Sequence, residues 1–288
     1  MPSDGPPEVG RGPSHPLDPT GRGALALVLA TNLLPLAGVV AFDWRVGELL
    51  AVYWIEVVAM VLAYSAAALF AERPIDLDDR AFYVIGYSED TELDEERWET
   101  TPEPIHLASW LPPVYRRNAS VVVRSLGVFY FVAFPLAWVG GDILSYATPS
   151  VGVAALGVCL AQIAEVRREF FAERAYEEQS PYMVVEAAQR VVLFYLVIGL
   201  FSVPAVAVAL LVVQGLVGAG TLDAVAAAVG PQAVLLPFLV PITLAKTLVE
   251  WSRRRAFRED DPDGIATWFT GEDPRREWKQ TEETAGED

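Results

Sequence analysis

"GELLAVYWIEVVAMVLAYSAAALF", residues 47–70, decides how the chain is read. After Glu48 at its edge, Glu56 is the only charged residue in the stretch. As a helix rising ~1.5 Å per residue it would reach ~36 Å, enough for the ~30 Å hydrocarbon layer of a bilayer. A helix in the core of a soluble domain keeps a polar face, and this stretch has none. It reads as a membrane span, and its glutamate then needs an explanation.

The rest of the chain follows the same pattern. Hydrophobic residues make up 53% of 288 and fall into blocks separated by very polar segments. Six blocks are long enough to cross a bilayer: about 23–42, 47–70, 120–140, 147–164, 186–213 and 231–251. The fourth is the weakest, because Pro149, Gly152 and Gly157 interrupt it. The fifth exceeds what a bilayer needs, so tilt or a bend at Pro204 is expected. Small residues around Gly152 and Gly157 are expected to allow close helix packing.

Basic residues orient these blocks. With six spans and both termini cytoplasmic, 17 of the 21 Lys and Arg lie on the cytoplasmic side and only Arg45 lies outside. Arg124, Arg190 and Lys246 fall within spans. Omitting or adding one span would move arginine clusters such as Arg253–Arg255 to the outside. Trp44, Trp138 and Tyr146 then mark an outer aromatic belt, and Trp110, Tyr115 and Trp251 an inner one. The expected fold class is an all-α polytopic transmembrane bundle. A polar tail (1–22) precedes a transmembrane hairpin (23–70), an acidic cytoplasmic loop (71–119), spans three to six (120–251) and an acidic cytoplasmic tail (252–288). Residues 1–19 are Pro/Gly-rich without an apolar core, so they read as a disordered tail and not a signal peptide. The 71–119 loop carries twelve acids, and its "AFYVIGY" (81–87) reads as a short strand or packed turn in an otherwise partly ordered linker.

The net charge is −17, and only two of the basic residues are lysine. This balance disfavours nucleic acid as a partner. It matches a halophilic surface solvated in molar salt, where a Debye length of ~3 Å removes long-range steering. Cys159 is alone, so no disulfide or CxxC site is expected. His15 and His106 both lie outside the apolar blocks, which leaves no imidazole in the membrane for haem, zinc or Ser–His chemistry. No phosphate-binding glycine loop or nucleophile elbow occurs, so no cofactor is expected and the reading leans against an enzyme. "NAS" (118–120) matches a glycosylation sequon but falls on the cytoplasmic side, so the match reads as chance.

Two groups of polar residues remain. Asn32 and Glu56 lie at similar depth in the first hairpin, with Tyr53 and Trp54 beside Glu56. Pro35 frees the carbonyl of Thr31, which a neutral Glu56 or the Asn32 amide could satisfy. That would be a structural clasp; the alternative is a substrate or proton site, since intramembrane carboxylates often mark pathways. The second group, Arg124, Glu186, Arg190, Lys246 and Glu250, reads as a charged ring near the cytoplasmic face. Glu186–Arg190 and Lys246–Glu250 have i,i+4 spacing. Local pairing and snorkelling compete here with a vestibule for an anion or a lipid headgroup.

"NLLPLAGVV" (32–40), Trp44 and "GELLAVYWIE" (47–56) resemble the opening of an uncharacterised prokaryotic, largely haloarchaeal, integral-membrane family. "SPYMVV" (180–185) and "LAKTLVEW" (244–251) are similar to its later features. The resemblance implies that Asn32, Pro35, Tyr53, Trp54, Glu56 and Lys246 are the family's marked positions. The family's Asn after the Glu is Val57 here, and the histidines of its later spans are missing. The resemblance implies a fold and no reaction. The expectation is a multi-pass protein of the cytoplasmic membrane, non-catalytic and surrounded by lipid. It would serve as a structural, accessory or binding component, alone, with a protein partner or as a homo-oligomer. The alternative is a small transporter or channel working through Glu56.

Overall fold

The computed structural model describes residues 22–42, 44–77, 80, 82–84, 86–88, 90–92, 98, 103–139, 143–256 and 262–272. Helix α1 (Arg22–Ala41) and helix α2 (Val46–Ala68) form the first hairpin. A short connection carries Trp44 back onto α1. The Trp44 N–H donates to the Gly38 carbonyl at 3.2 Å, and the Glu48 carboxylate accepts the Arg45 N–H at 2.6 Å to start α2. The indole lies so close to Gly38 that an added Cβ would stand 2.6 Å from it.

After the acidic segment, helix α3 (Ala119–Val139) leads to helix α4 (Pro149–Val166), which continues through a wide turn at Arg167–Ala172. Pro149 therefore begins a helix and does not break one. Thr148 caps it, accepting from the Val151 N–H at 3.4 Å. The same device opens helix α5 (Pro181–Val217), where Ser180 accepts from the Met183 N–H at 3.3 Å. Helix α5 runs through Pro204 without a break and starts five residues before the stretch expected from hydropathy. Gly218 and Gly230, at φ 83° and 90°, separate it from helix α6 (Ala219–Val229) and then helix α7 (Pro231–Ala256).

Among the described residues four helices are long and apolar enough to cross a membrane: Val46–Ala68, Pro149–Ala172, Pro181–Val217 and Val234–Ala256. Val28–Ala41 is a shorter apolar helix. The only strands among the described residues are the two-residue pair Pro104–Ile105 and Val114–Tyr115, antiparallel to each other. Residues 82–84, 86 and 87 of "AFYVIGY" form a turn and not a strand, with the Tyr87 N–H on the Val84 carbonyl at 3.1 Å. The polar tail at 1–21 and the chain beyond 272 lie outside the described residues.

Helix α2 is the centre of the bundle and packs against α4 and α5, while α1 lies along α7. Its apolar side chains enter two separate cores. Leu49 and Val52 join Leu36, Val39, Trp44 and Leu239 in one. In the other, Val57, Met60, Val61 and Tyr64 join Val121, Phe170 and the α5 residues Tyr182, Val185, Ala188 and Val192. Ile75, Leu77, Val84 and Trp98 reach that second core from the loop. The described part of the acidic segment is therefore packed into the protein, and so is Phe269 of the C-terminal segment. Between the two cores lie Tyr53 and Glu56.

Several sequence expectations change here. Trp44 and Tyr115 are buried packing residues and not members of an exposed belt; Trp110 is exposed, and the Trp138 side chain lies outside the described residues. Trp44 donates its indole N–H to Ser150 at 3.0 Å, and Tyr146 stacks on Arg45. An aromatic residue near a helix end can serve a lipid interface or a helix junction, and only the tertiary contact decides. Among the described residues Gly152 and Gly157 would meet nothing within 4 Å if they carried a Cβ, so they mediate no close packing there. Asn118 is fully buried, its amide donating to the Ala68 and Ala71 carbonyls at 2.9 and 2.8 Å where α2 ends. This leaves no room for a glycan and agrees with reading the sequon as chance.

Candidate functional site

Helix α7 presents Lys246 to the layer between the two cores, where it is 5% exposed. Its ammonium group has three donors, and three helices supply the acceptors. Asn32 Oδ1 comes from α1, Glu56 Oε1 from α2 at 3.1 Å, and Glu250 Oε1 from one turn further along α7. The rings of Tyr53 and Tyr195 lie 5.1 and 5.6 Å from the ammonium nitrogen and add cation–π attraction.

Each partner of Lys246 is held in turn. Asn32 directs its amide N–H groups to Glu250 Oε2 at 2.6 Å and to the Val28 carbonyl at 3.0 Å. Tyr195 donates to Glu250 Oε1 at 3.0 Å. Tyr53 donates to the Asn32 carbonyl at 3.0 Å and stands 3.2 Å from the Thr243 hydroxyl. Glu250 therefore receives three kinds of donor: an ammonium, an amide and a phenol. Glu56 shares the same lysine. With both carboxylates ionised the cluster carries one negative charge in excess, in a layer that water does not freely reach.

A second buried cluster lies one turn further along α7. Arg253 reaches Tyr64 at 2.6 Å, Glu169 at 3.3 Å and Glu165 at 2.7 Å, and Arg254 stands 3.1 Å from Glu165. The half-exposed Arg168 also reaches Glu165 and Glu169, at 4.0 and 3.2 Å, so three guanidinium groups face two carboxylates and neither carboxylate lacks a cation. Between the two clusters is a cavity of about 50 Å³, with Glu56, Gln162, Glu165, Tyr195, Glu250 and Arg253 on its walls. Among the described residues no group of three or more His, Cys, Asp or Glu is arranged to hold a metal ion.

The candidate residues divide between separate places. Asn32, Tyr53 and Glu56 do meet, and Lys246 and Glu250 join them. Trp54 points elsewhere and stacks on Phe129 of α3 with ring centroids 6.3 Å apart. The Glu56–Thr31 clasp is replaced by the Glu56–Lys246 pair, and the Asn32 amide turns to Val28 and Glu250.

The five charged residues read as a ring form no ring. Glu186 and Arg190 pair at 2.6 Å as their spacing predicts, but they sit in a third buried cluster with Arg80 and Glu272. There Arg190 also donates to the carbonyl of Trp268 at 2.9 Å, fastening the C-terminal segment to α5. Arg124 lies exposed over the ring of Tyr87, 5.0 Å from its centroid. Burial pushes the Tyr87 hydroxyl up to about 12, with the Arg124 charge opposing it. Sequence reasoning missed Gln162, Glu165, Glu169, Tyr195 and Arg253. Their signal was present but faint: polar residues recurring every three or four positions on otherwise apolar helices.

The apolar helices and their buried polar layer are those of a helical membrane protein with a lysine-centred site in its core. The chain belongs to a family of unknown function (DUF6498), which matches residues 17–233. The match includes Asn32, Tyr53 and Glu56 and stops short of Lys246 and Glu250. No curated protein matches the chain, and no solved structure does.

Proposed function

We propose that the chain is a non-catalytic, multi-pass protein of the cytoplasmic membrane. In this reading it has six spans, both termini face the cytoplasm and lipid is its main surrounding. It acts as a structural, accessory or binding component, with a surface acidic enough for life in high salt. The observation that carries this reading is the complete use of the Lys246 ammonium inside the chain. All three donors are spent on three helices, as in a fastening. The 17 basic residues on one side of a six-span arrangement support the topology.

Two experiments test it. In a Cys159→Ala background, cysteines at Ser3 and Thr281 should resist an impermeant maleimide in intact cells, while one at Gly220 should label. The reverse pattern would sink the six-span arrangement. The purified protein in vesicles loaded with a pH-sensitive dye should pass no protons or ions. A flux abolished by Glu56→Gln would establish the alternative, a small transporter working through Glu56. The observation favouring that second reading is the cavity beside the carboxylate.

A further inference from the structure

Gln162 on α4 is 8% exposed, lines the cavity, and its side-chain oxygen has no hydrogen-bond partner among the described residues. A buried amide oxygen left bare costs ~1–3 kcal/mol, so a donor is expected in the space before it. The space measures about 50 Å³, and a water needs ~10–15 Å³ of such room with two to four polar partners. Glu56, Glu165, Glu250 and Tyr195 supply those partners around the same cavity.

The charges on the walls say what such water would carry. Every ionisable group facing the cavity can be placed. Helix α7 contributes Glu250, Arg253 and Arg254, with Lys246 behind them. Helix α4 contributes Glu165, with Glu169 beside it; helix α5 contributes Tyr195 and helix α2 Glu56. Glu165 and Glu169 face Arg253, Arg254 and, from the surface side, the half-exposed Arg168, so no carboxylate there lacks a cation. Lys246 faces two carboxylates and can neutralise one. Glu250 is the better held, by Lys246, Asn32 and Tyr195. Glu56 has Lys246 at 3.1 Å and borders the cavity. Within the Lys246 layer one cation serves two carboxylates, and a proton on Glu56 removes that local excess.

We infer that the cavity is a hydrated proton-exchange site, in which water held by Gln162 carries protons between Glu56 and the end of the bundle marked by Arg253 and Arg254. The step is a simple transfer. A hydronium ion in the cavity gives its proton to the Glu56 carboxylate, leaving water and a neutral carboxyl group, and the reverse step returns it. This goes beyond the structural reading, because exchange from one side needs no passage across the membrane. Absence of flux in vesicles would leave it standing.

The test is infrared spectroscopy of the full-length protein in lipid. The wild type should show a protonated-carboxyl C=O band that Glu56→Gln abolishes and that shifts quickly on transfer to D₂O. Gln162→Leu should keep the band and slow its shift on the order of tenfold, the factor that ~1.4 kcal/mol represents. Gln162→Asn, which retains an amide, should exchange like the wild type. Circular dichroism and gel filtration check the fold, and Gln162→Met replaces the Leu variant if that one fails to fold. A spectrum with no band assignable to Glu56 would overturn the inference. So would a band whose exchange is indifferent to Leu or Met at position 162.

Discussion

Lys246 and Glu56 are 190 residues apart in sequence and 3.1 Å apart in the fold. That pair joins the first hairpin to the last helix, and Asn32 completes the junction from α1. Tyr53–Thr243 and Tyr64–Arg253 also link the hairpin to α7, whereas the apolar contacts around them provide in lipid little reason to prefer one rotation of a helix over another. A buried polar pair supplies that preference, because any rotation that separates it strands a charge.

Asn32 should therefore tolerate loss of its side chain better than gain of a charge. Asn32→Leu removes an acceptor from Lys246 and a donor from Glu250, at an expected cost of ~1–3 kcal/mol. Asn32→Asp adds a third carboxylate around one ammonium and should destabilise further. Denaturation in detergent, followed by circular dichroism, ranks the two. An Asp variant as stable as wild type would mean that the site is open to water.

At the other end of the hairpin the prediction is steric. A methyl group at Gly38 would have to displace the Trp44 indole, which is buried in its own apolar core. Gly38→Ala should cost ~1–3 kcal/mol, typical of an overpacked core. Trp44→Phe in the same background should recover part of it, because the smaller ring can retreat. Failure of the second change to relieve the first would show that the contact is looser than its geometry.

Asn118 should be a folding residue and never a glycan acceptor. Asn118→Ala strips donors from two buried carbonyls at the end of α2, at ~1–3 kcal/mol. Limited proteolysis of the 71–119 segment should accelerate in that variant, and intact mass should show no sugar on the wild type.

Alkaline pH should loosen the same region first. Burial pushes both the Tyr87 and Tyr115 hydroxyls from 10.0 up to about 12, with Glu72 adding to the effect on Tyr115. A raised folded-state value means that the stabilisation is whole below pH ~10 and fades as pH rises toward ~12. Protease sensitivity of the loop should increase across that window, and less so in Tyr87→Phe. An increase that is complete below pH ~9 would contradict the assignment.

Much of this was legible in the sequence. The long apolar helices announce themselves by length, and the meeting of Asn32, Tyr53 and Glu56 follows from a short hairpin that holds two residues at equal depth. The pairing of Lys246 with Glu250 follows from helical spacing. The Glu56–Lys246 contact did not follow, and the reason is one of depth. Hydropathy ends the last span near 251, which puts Lys246 close to the interface; helix α7 runs to Ala256, and the lysine sits well inside it. Its escape to water was the wrong expectation once a carboxylate waited at the same level. Helix α5 likewise begins at Pro181, so Glu186 and Arg190 lie within a packed helix and not at a free rim. The docking of Arg80 and Glu272 onto that pair depends on long-range chain return, for which no local pattern exists.

The junction itself is tested most directly by a double-mutant cycle on Glu56 and Lys246, with unfolding free energies measured in detergent for Glu56→Gln, Lys246→Met and the combined variant. Lys246→Met alone leaves Glu250 and Glu56 without their cation and should be the most damaging, at ~3–5 kcal/mol. If the two side chains hold each other as the structure places them, the double variant should be more stable than the sum of the single changes by ~0.5–3 kcal/mol. Additivity within ~0.5 kcal/mol would mean that Glu56 and Lys246 act independently, and the account of a core fastened through Lys246 would fail.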